Sequence, residues 1–205
     1  MIGKYYESDY EEALIDLLQE QGWEYTHDGN IHRNNRDVLL KEDMTVYLKR
    51  RYNELTDEDV ENIYNHLRHT SGQSHFELLR NSYYLARDGY RYTRHSDGKH
   101  FDIEYLDFEP ENENNIYRCV NQFEVGYGQK TDVRIPDVML FVNGIPLCIF
   151  ELKNPTDFNA TIADAYEQVH TRYMRGFGTG VTFFALLVVG GLVFGIWYSI
   201  KKVKP

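Results

Sequence analysis

Cysteine and proline are scarce in this chain, basic residues are in deficit, and charge is missing altogether from one long stretch. The two cysteines, Cys119 and Cys148, form no C-x-x-C pair, and no histidine cluster stands at zinc-ligand spacing. That argues against a disulfide-stapled fold and against a thiolate zinc site. Cys148 lies in the apolar run 145–150 and reads as a small buried hydrophobe, not a nucleophile. Five prolines and 15 glycines exclude a collagen-like or low-complexity chain. The opening MIGKYYESDYEEALIDLL has acidic residues where a signal peptide needs an unbroken apolar run, so a reducing cytosol is the expected compartment. No G-x-x-x-x-G-K-[ST] occurs, so no ATP site and no ATP-driven translocation are expected of this chain. Lys plus Arg number 22 against 32 Asp plus Glu, a net charge of −10, which taken at face value argues against a nucleic-acid partner.

What is present sorts into two parts. The chain has 205 residues, enough for one domain with a real core and an appendage. Hydrophobic content of 42% and 17 tyrosines exclude general disorder. Residues 176–200 carry no charge, and 181–200 read VTFFALLVVGGLVFGIWYSI. As a helix that segment spans the roughly 30 Å of a bilayer core. Trp197 and Tyr198 stand at an interfacial position before Lys201, Lys202 and Lys204, and Gly191 with Gly195 forms one G-x-x-x-G. A transmembrane helix is the expectation, with a buried core helix as the alternative. Arg172 and Arg175 on one side and three lysines on the other do not set its orientation.

Ahead of that tail, Ser8-Asp9-Tyr10-Glu11 reads as a capping box opening a helix that Gly22 ends. A helix is expected from about Glu42 to Tyr52, another from Thr56 with Val60, Ile63, Tyr64 and Leu67 inward, and a third from Ser74 to near Gly89. From Tyr90 the pattern turns to strands. Phe101, Ile103 and Tyr105 alternate, and Tyr117, Cys119, Gln122 and Val125 suggest a second strand, followed by a polar loop over 126–131. Two apolar runs, 138–142 and 145–150, flank Asn143-Gly144, the strongest short hairpin signal. Residues 161–175 read as a last helix.

The chemistry concentrates in RIPDVMLFVNGIPLCIFELKNP. Asp137 precedes one arm of the hairpin, and Glu151 and Lys153 follow the other on one face. With a two-residue turn, Asp137 faces Phe150 and Glu151 points away. With a three-residue loop and a bulge at Gly144, Asp137 faces Ile149 and lies diagonal to Glu151 on the same face, about 7–8 Å away. The bulged register is the expectation. Two carboxylates so placed suit a hard cation such as Mg²⁺, and Lys153 would orient or deprotonate the attacking water or stabilise the transition state. An ordinary surface Glu–Lys pair is the alternative.

This segment resembles the PD-(D/E)xK nuclease motif. With YLDFEPENENNIYRCVNQFEV before it and DAYEQVHTRY after it, the chain is similar to the N-terminal endonuclease domain of the R (motor) subunit of type I restriction-modification enzymes, over roughly Ser8 to Arg175. The resemblance implies an α/β fold, a mixed sheet flanked by helices with a restriction-endonuclease-like core. It gives residues 1–175 as the nuclease domain; the apolar run, where the resemblance stops, gives 176–205 as a hydrophobic, transmembrane-like tail. It implies Asp137 and Glu151 as metal ligands, Lys153 as the catalytic lysine, and an acidic residue of the first helix as a further catalytic and metal ligand, best matched by Glu11 with Glu12 as rival; a capping role is the other reading of Glu11. Gln168 and Tyr173 match the family's downstream Gln…Tyr element, which supports the site or the DNA. Lys130 and Arg134 are the candidate DNA contacts, ahead of Lys49-Arg50-Arg51 and of Arg87, Arg91 and Arg94. The cofactor implied is Mg²⁺, and the partners are double-stranded DNA and the modification and specificity subunits. The expected location is cytoplasmic, with residues 181–200 as a membrane anchor. A catalytically idle, tail-anchored interaction protein derived from that domain is the rival reading.

Overall fold

The computed structural model describes residues 7–152 apart from 110, 112 and 128–131. The first helix, α1, runs Glu7–Glu20 and buries Leu14, Ile15 and Leu18 along one face. Gly22 ends it at φ +89°. The Gly22 N–H bonds the Gln19 carbonyl and the Trp23 N–H reaches the Leu18 carbonyl, both at 3.0 Å, so the last orphan carbonyls are satisfied. The helix already includes Ser8, so the expected capping box is not how it starts.

The following strand, β1 (Glu24–His27), is short and largely exposed. Helix α2 is Lys41–Arg51, with Asp43, Met44, Tyr47 and Leu48 buried. Helix α3 is Asp57–Arg68 and opens with a capping box in which Thr56 and Asp59 exchange side-chain and backbone hydrogen bonds. Helix α4 is His75–Asp88, capped by Ser74 and stopped at Gly89. A Cβ at Gly89, whose φ is +68°, would stand 1.9 Å from the Ile103 carbonyl oxygen, so only glycine fits. Then come β2 (Tyr90–Thr93) and β3 (His100–Ile103), paired antiparallel.

The central sheet contains β4 (Tyr117–Asn121), β7 (Val138–Val142) and β8 (Ile145–Phe150) beside β1, in the order β1-β4-β7-β8. β1 runs parallel to β4 and the other pairs are antiparallel, so the sheet is mixed. Between them β5 (Val125–Tyr127) and β6 (Asp132–Arg134) form a separate hairpin. The sequence pattern runs one strand from Tyr117 through Val125. The chain instead leaves the sheet after Asn121, because Gln122 adopts φ +52° and breaks the extended run.

Side chains alternate faces along β7 and fill two cores. Val138 and Leu140 join Cys119 and Leu152 against Leu14, Ile15 and Leu18 of α1. Met139 and Phe141 join Val120, Ile145 and Ile149 in a larger core with Met44, Tyr47 and Leu48 of α2 and Ile63 and Leu67 of α3. The sheet is thus covered on both faces, which is why β7 is wholly buried and reads as an unbroken apolar run. Among the described residues no helix is long and apolar enough to cross a membrane. The apolar segment 181–200, the helix expected over 161–175 and the boundary at residue 175 lie outside those residues.

Candidate active site

The hairpin that carries Asp137 and Glu151 turns at Asn143 and Gly144, with φ of +53° and +78°. Positive φ at both central residues marks a two-residue type I′ turn, and Val142 accordingly pairs with Ile145. The expected three-residue loop with a bulge at Gly144 is not formed. The environment holds the tight turn in place. Asn143 is fully buried, and its side chain accepts from Ile116 N at 2.8 Å and donates to the Tyr105 carbonyl at 3.0 Å and Asn115 Oδ1 at 2.8 Å. The Gly144 carbonyl accepts from Leu40 N at 2.8 Å, and a Cβ on Gly144 would lie 2.1 Å from the Leu40 carbonyl oxygen.

The bulge sits within β8. Phe141 pairs with Pro146 but Leu140 pairs with Cys148, so Leu147 is the extra residue. Proline has no N–H for a ladder, and among the described residues β8 is an edge strand, the ordinary place for such an irregularity. Beyond the bulge Val138 faces Phe150. The ladder ends at that pair, and Asp137 and Glu151 are the next residues of the two arms. The register matches neither expectation, because the two-residue turn and a bulge occur together.

Each carboxylate is held by the fold. Asp137 Oδ2 accepts from Leu152 N at 2.5 Å, and the Asp137 carbonyl accepts from Gln122 N at 3.0 Å. Glu151 is only 7% exposed. A carboxylate so deep in the protein is unfavourable unless hydrogen bonds or a positive charge compensate it.

Glu11 enters from α1. Its Oε1 accepts from Asn121 Nδ2 at 2.8 Å, and Gln122 Nε2 lies 3.4 Å from Oε1 and 3.2 Å from Oε2. Asn121 ends β4, where it pairs with Val138, the residue after Asp137. Glu11 therefore reaches the end of the sheet at which Asp137 and Glu151 stand, while Glu12 is exposed. Tyr25 of β1 completes the chain, its hydroxyl donating to Asn121 Oδ1 at 3.0 Å. Burial first, and then the Glu11 carboxylate, raise the Tyr25 phenol above its ordinary pKa. The Cys119 thiol is pushed up to about 12 by burial, with Glu11 adding to it, and burial also raises Cys148. Neither cysteine is a thiolate nucleophile at neutral pH. Among the described residues no three His, Cys, Asp or Glu side chains converge on a common ion position.

Arg134 ends β6, pairs with Val125 and is half-buried, three positions ahead of Asp137. Lys130, Lys153, Gln168 and Tyr173 lie outside the described residues. The other basic clusters are engaged within the chain: Lys49 with Asp57, Arg51 with Glu104 and Asp107, Arg87 with Asp88, Arg91 with Asp102, and Arg94 with Asp59 and Asp97. Tyr25, Asn121 and Gln122 were invisible as site residues in the sequence. Asn-Gln at the end of a predicted strand is an unremarkable polar pair, and only the left-handed backbone at Gln122 singles it out.

A cleft of about 230 Å³ opens elsewhere, lined by His32, Arg33, Lys41, Asp43 and Arg118 among others. Its charges are matched internally, with Arg118 bidentate on Asp43 at 2.6 and 2.8 Å, Arg33 on Asp28 and Lys41 on Glu61. None of Glu11, Asp137 and Glu151 lines it.

A family model for the type I restriction enzyme R protein N terminus matches residues 4–194. The chain belongs to this family. Two curated relatives match. The type I restriction enzyme HindI endonuclease subunit of Haemophilus influenzae is 33% identical over 177 residues, covering 80% of this chain and 16% of that protein. The putative type I restriction enzyme MjaIXP endonuclease subunit of Methanocaldococcus jannaschii is 32% identical over 178 residues, covering 79% of this chain and 16% of that protein. The chain thus spans about a sixth of the length of the curated relatives it matches.

Proposed function

We propose that this chain is the endonuclease part of a type I restriction system and hydrolyses phosphodiester bonds of double-stranded DNA with Mg²⁺. The observation that carries the reading is the Asp137 carboxylate, bonded to the Leu152 N–H beside Glu151 just past the hairpin ladder, next to the strand end where Glu11 is held. Family membership supplies the context, and a PD-(D/E)xK nuclease core is the fold reading that fits the mixed, two-sided sheet.

The donor set suits the ion. It is all carboxylate oxygen, and Mg²⁺ commonly takes one or two carboxylates and keeps several waters, so a third converging ligand is not required. Asp137 and Glu151 would hold it, with Glu11 as a further ligand or support. When bound, Mg²⁺ would acidify water and neutralise charge growing on the scissile phosphate. The rest falls to the chain. The Leu152 N–H holds Asp137 Oδ2 against the main chain next to Glu151. Lys153, two residues beyond Glu151, would orient or deprotonate the attacking water or stabilise the transition state. Lys130 and Arg134 would meet the phosphates, and Gln168 and Tyr173 would support the site. The modification and specificity subunits are the proposed protein partners, and residues 181–200 would anchor a cytoplasmic domain to the membrane.

Lys153→Ala tests this. Plasmid nicking in Mg²⁺ should fall at least 100-fold, the scale for removing a general acid–base group, with the melting temperature unchanged. Undiminished nicking by Lys153→Ala sinks the assignment.

A further inference from the structure

We propose that Gln122 is a positioning residue for the carboxylate site, clamping the first helix to the hairpin. The inference rests on the metal-dependent nuclease reading and deepens it. Gln122 makes two connections at once. Its backbone N–H donates to the Asp137 carbonyl at 3.0 Å, and its side-chain Nε2 lies 3.4 and 3.2 Å from the two oxygens of Glu11.

The backbone supplies an independent argument. Gln122 sits at φ +52°, in the left-handed region. That region disfavours a residue with a Cβ, and glutamine lacks the short local side-chain bond that lets asparagine or aspartate visit it. If the position served only to turn the chain out of β4, glycine would serve better. A glutamine held there is explained by the use of its amide, and backbone strain of this kind is found where a site needs a group held in one place. The turn also aims the amide. Had the strand continued in extended form, the side chain of residue 122 would fall on the opposite face from that of Asn121. The kink instead lets both amides converge on Glu11. Asn121 is oriented in turn by the Tyr25 hydroxyl on its Oδ1, which leaves Nδ2 for Glu11. Partners that orient metal-ligating carboxylates contribute to affinity without touching the ion.

The experiment uses the full chain and three variants, Gln122→Gly, Gln122→Asn and Asp137→Ala. Gln122→Gly removes the amide and relieves the backbone, so its melting temperature should equal or exceed that of the wild type. Its affinity for Mn²⁺, read by calorimetric titration without DNA, should fall roughly ten- to hundredfold. Gln122→Asn keeps an amide and tolerates the left-handed conformation, so it should recover part of the loss. A Gln122→Gly protein that binds Mn²⁺ like the wild type, while Asp137→Ala does not, overturns the positioning role and leaves the nuclease reading standing. A wild type with no Asp137-dependent Mn²⁺ binding overturns the nuclease reading itself. In that case the stability coupling between Glu11→Ala and Gln122→Gly in a double-mutant cycle still reads whether the clamp exists.

Discussion

Asn143 is fully buried, yet its backbone N–H and both ends of its amide have partners within the protein. Removing the amide strands the Ile116 N–H and the Tyr105 carbonyl away from water. Asn143→Ala should therefore destabilise the fold by about 2–4 kcal/mol, read by chemical denaturation. Asn143→Gly is the control, because glycine adopts positive φ without strain. A similar loss in that variant assigns the cost to the amide, and a negligible loss assigns it to the turn. Asp59 is the second residue whose environment makes a prediction. Burial acts to raise its carboxyl, but hydrogen bonds from Thr56, Tyr92 and Arg94 outweigh it and hold the pKa below the ordinary value. A depressed folded-state pKa stabilises the protein above the unfolded value of about 4 and ceases to do so as the pH falls through the folded one. Asp59→Asn should thus lower the melting temperature at pH 7 and flatten the acid limb of the stability curve below about pH 4. An acid limb as steep as that of the wild type would show that Asp59 is not the group being protonated.

At the scale of elements, the strongly periodic segments were legible and the short polar ones were not. Helix α3 follows from Thr56-Asp57-Glu58-Asp59 and the inward Val60, Ile63, Tyr64 and Leu67, and the structure repeats each of these. The Asn-Gly hairpin was legible as a hairpin, since apolar runs flank it, but its register was not. Register depends on where an extra residue is absorbed, and the bulge at Leu147 answers to Pro146, which has no N–H to give the ladder, a constraint that no local pattern weighs. β1 escaped notice because Glu24–His27 is polar and mostly exposed, with no alternation to read. The sequence pattern reads Val125 as a strand end and 126–131 as a polar loop, and does not show the β5–β6 hairpin, because the break at Gln122 carries no glycine. The bulge makes a prediction of its own. Leu147 is the residue without a cross-strand partner, so its deletion should leave a regular ladder in which Val138 still faces Phe150, with Asp137 and Glu151 next along the two arms. That variant should keep its Mn²⁺ affinity within a few-fold while losing stability, because Leu147 packs against the larger core. Loss of Mn²⁺ binding at unchanged stability would mean that the bulge, and not merely the pairing beyond it, shapes the site.

For the whole molecule the question is how a protein of net charge −10 would meet DNA. Much of the positive charge among the described residues is already committed, from Arg33 on Asp28 through Arg118 on Asp43. Carboxylates at the end of the central sheet would repel phosphate unless a cation stood between them. Association with DNA should therefore depend on a divalent ion before any chemistry occurs. With Ca²⁺ in place of Mg²⁺ to prevent cleavage, the full chain should bind a duplex at least tenfold more tightly than in EDTA, by electrophoretic shift or fluorescence anisotropy. Asp137→Ala should abolish that difference. The salt dependence should be shallow, because each neutralised phosphate adds about 0.9 to the slope of log K against log salt and only Lys130 and Arg134 are candidates near the site. A steep slope, or equal affinity in EDTA, would place the DNA on a basic surface away from Asp137 and Glu151 and would separate DNA binding from the proposed site.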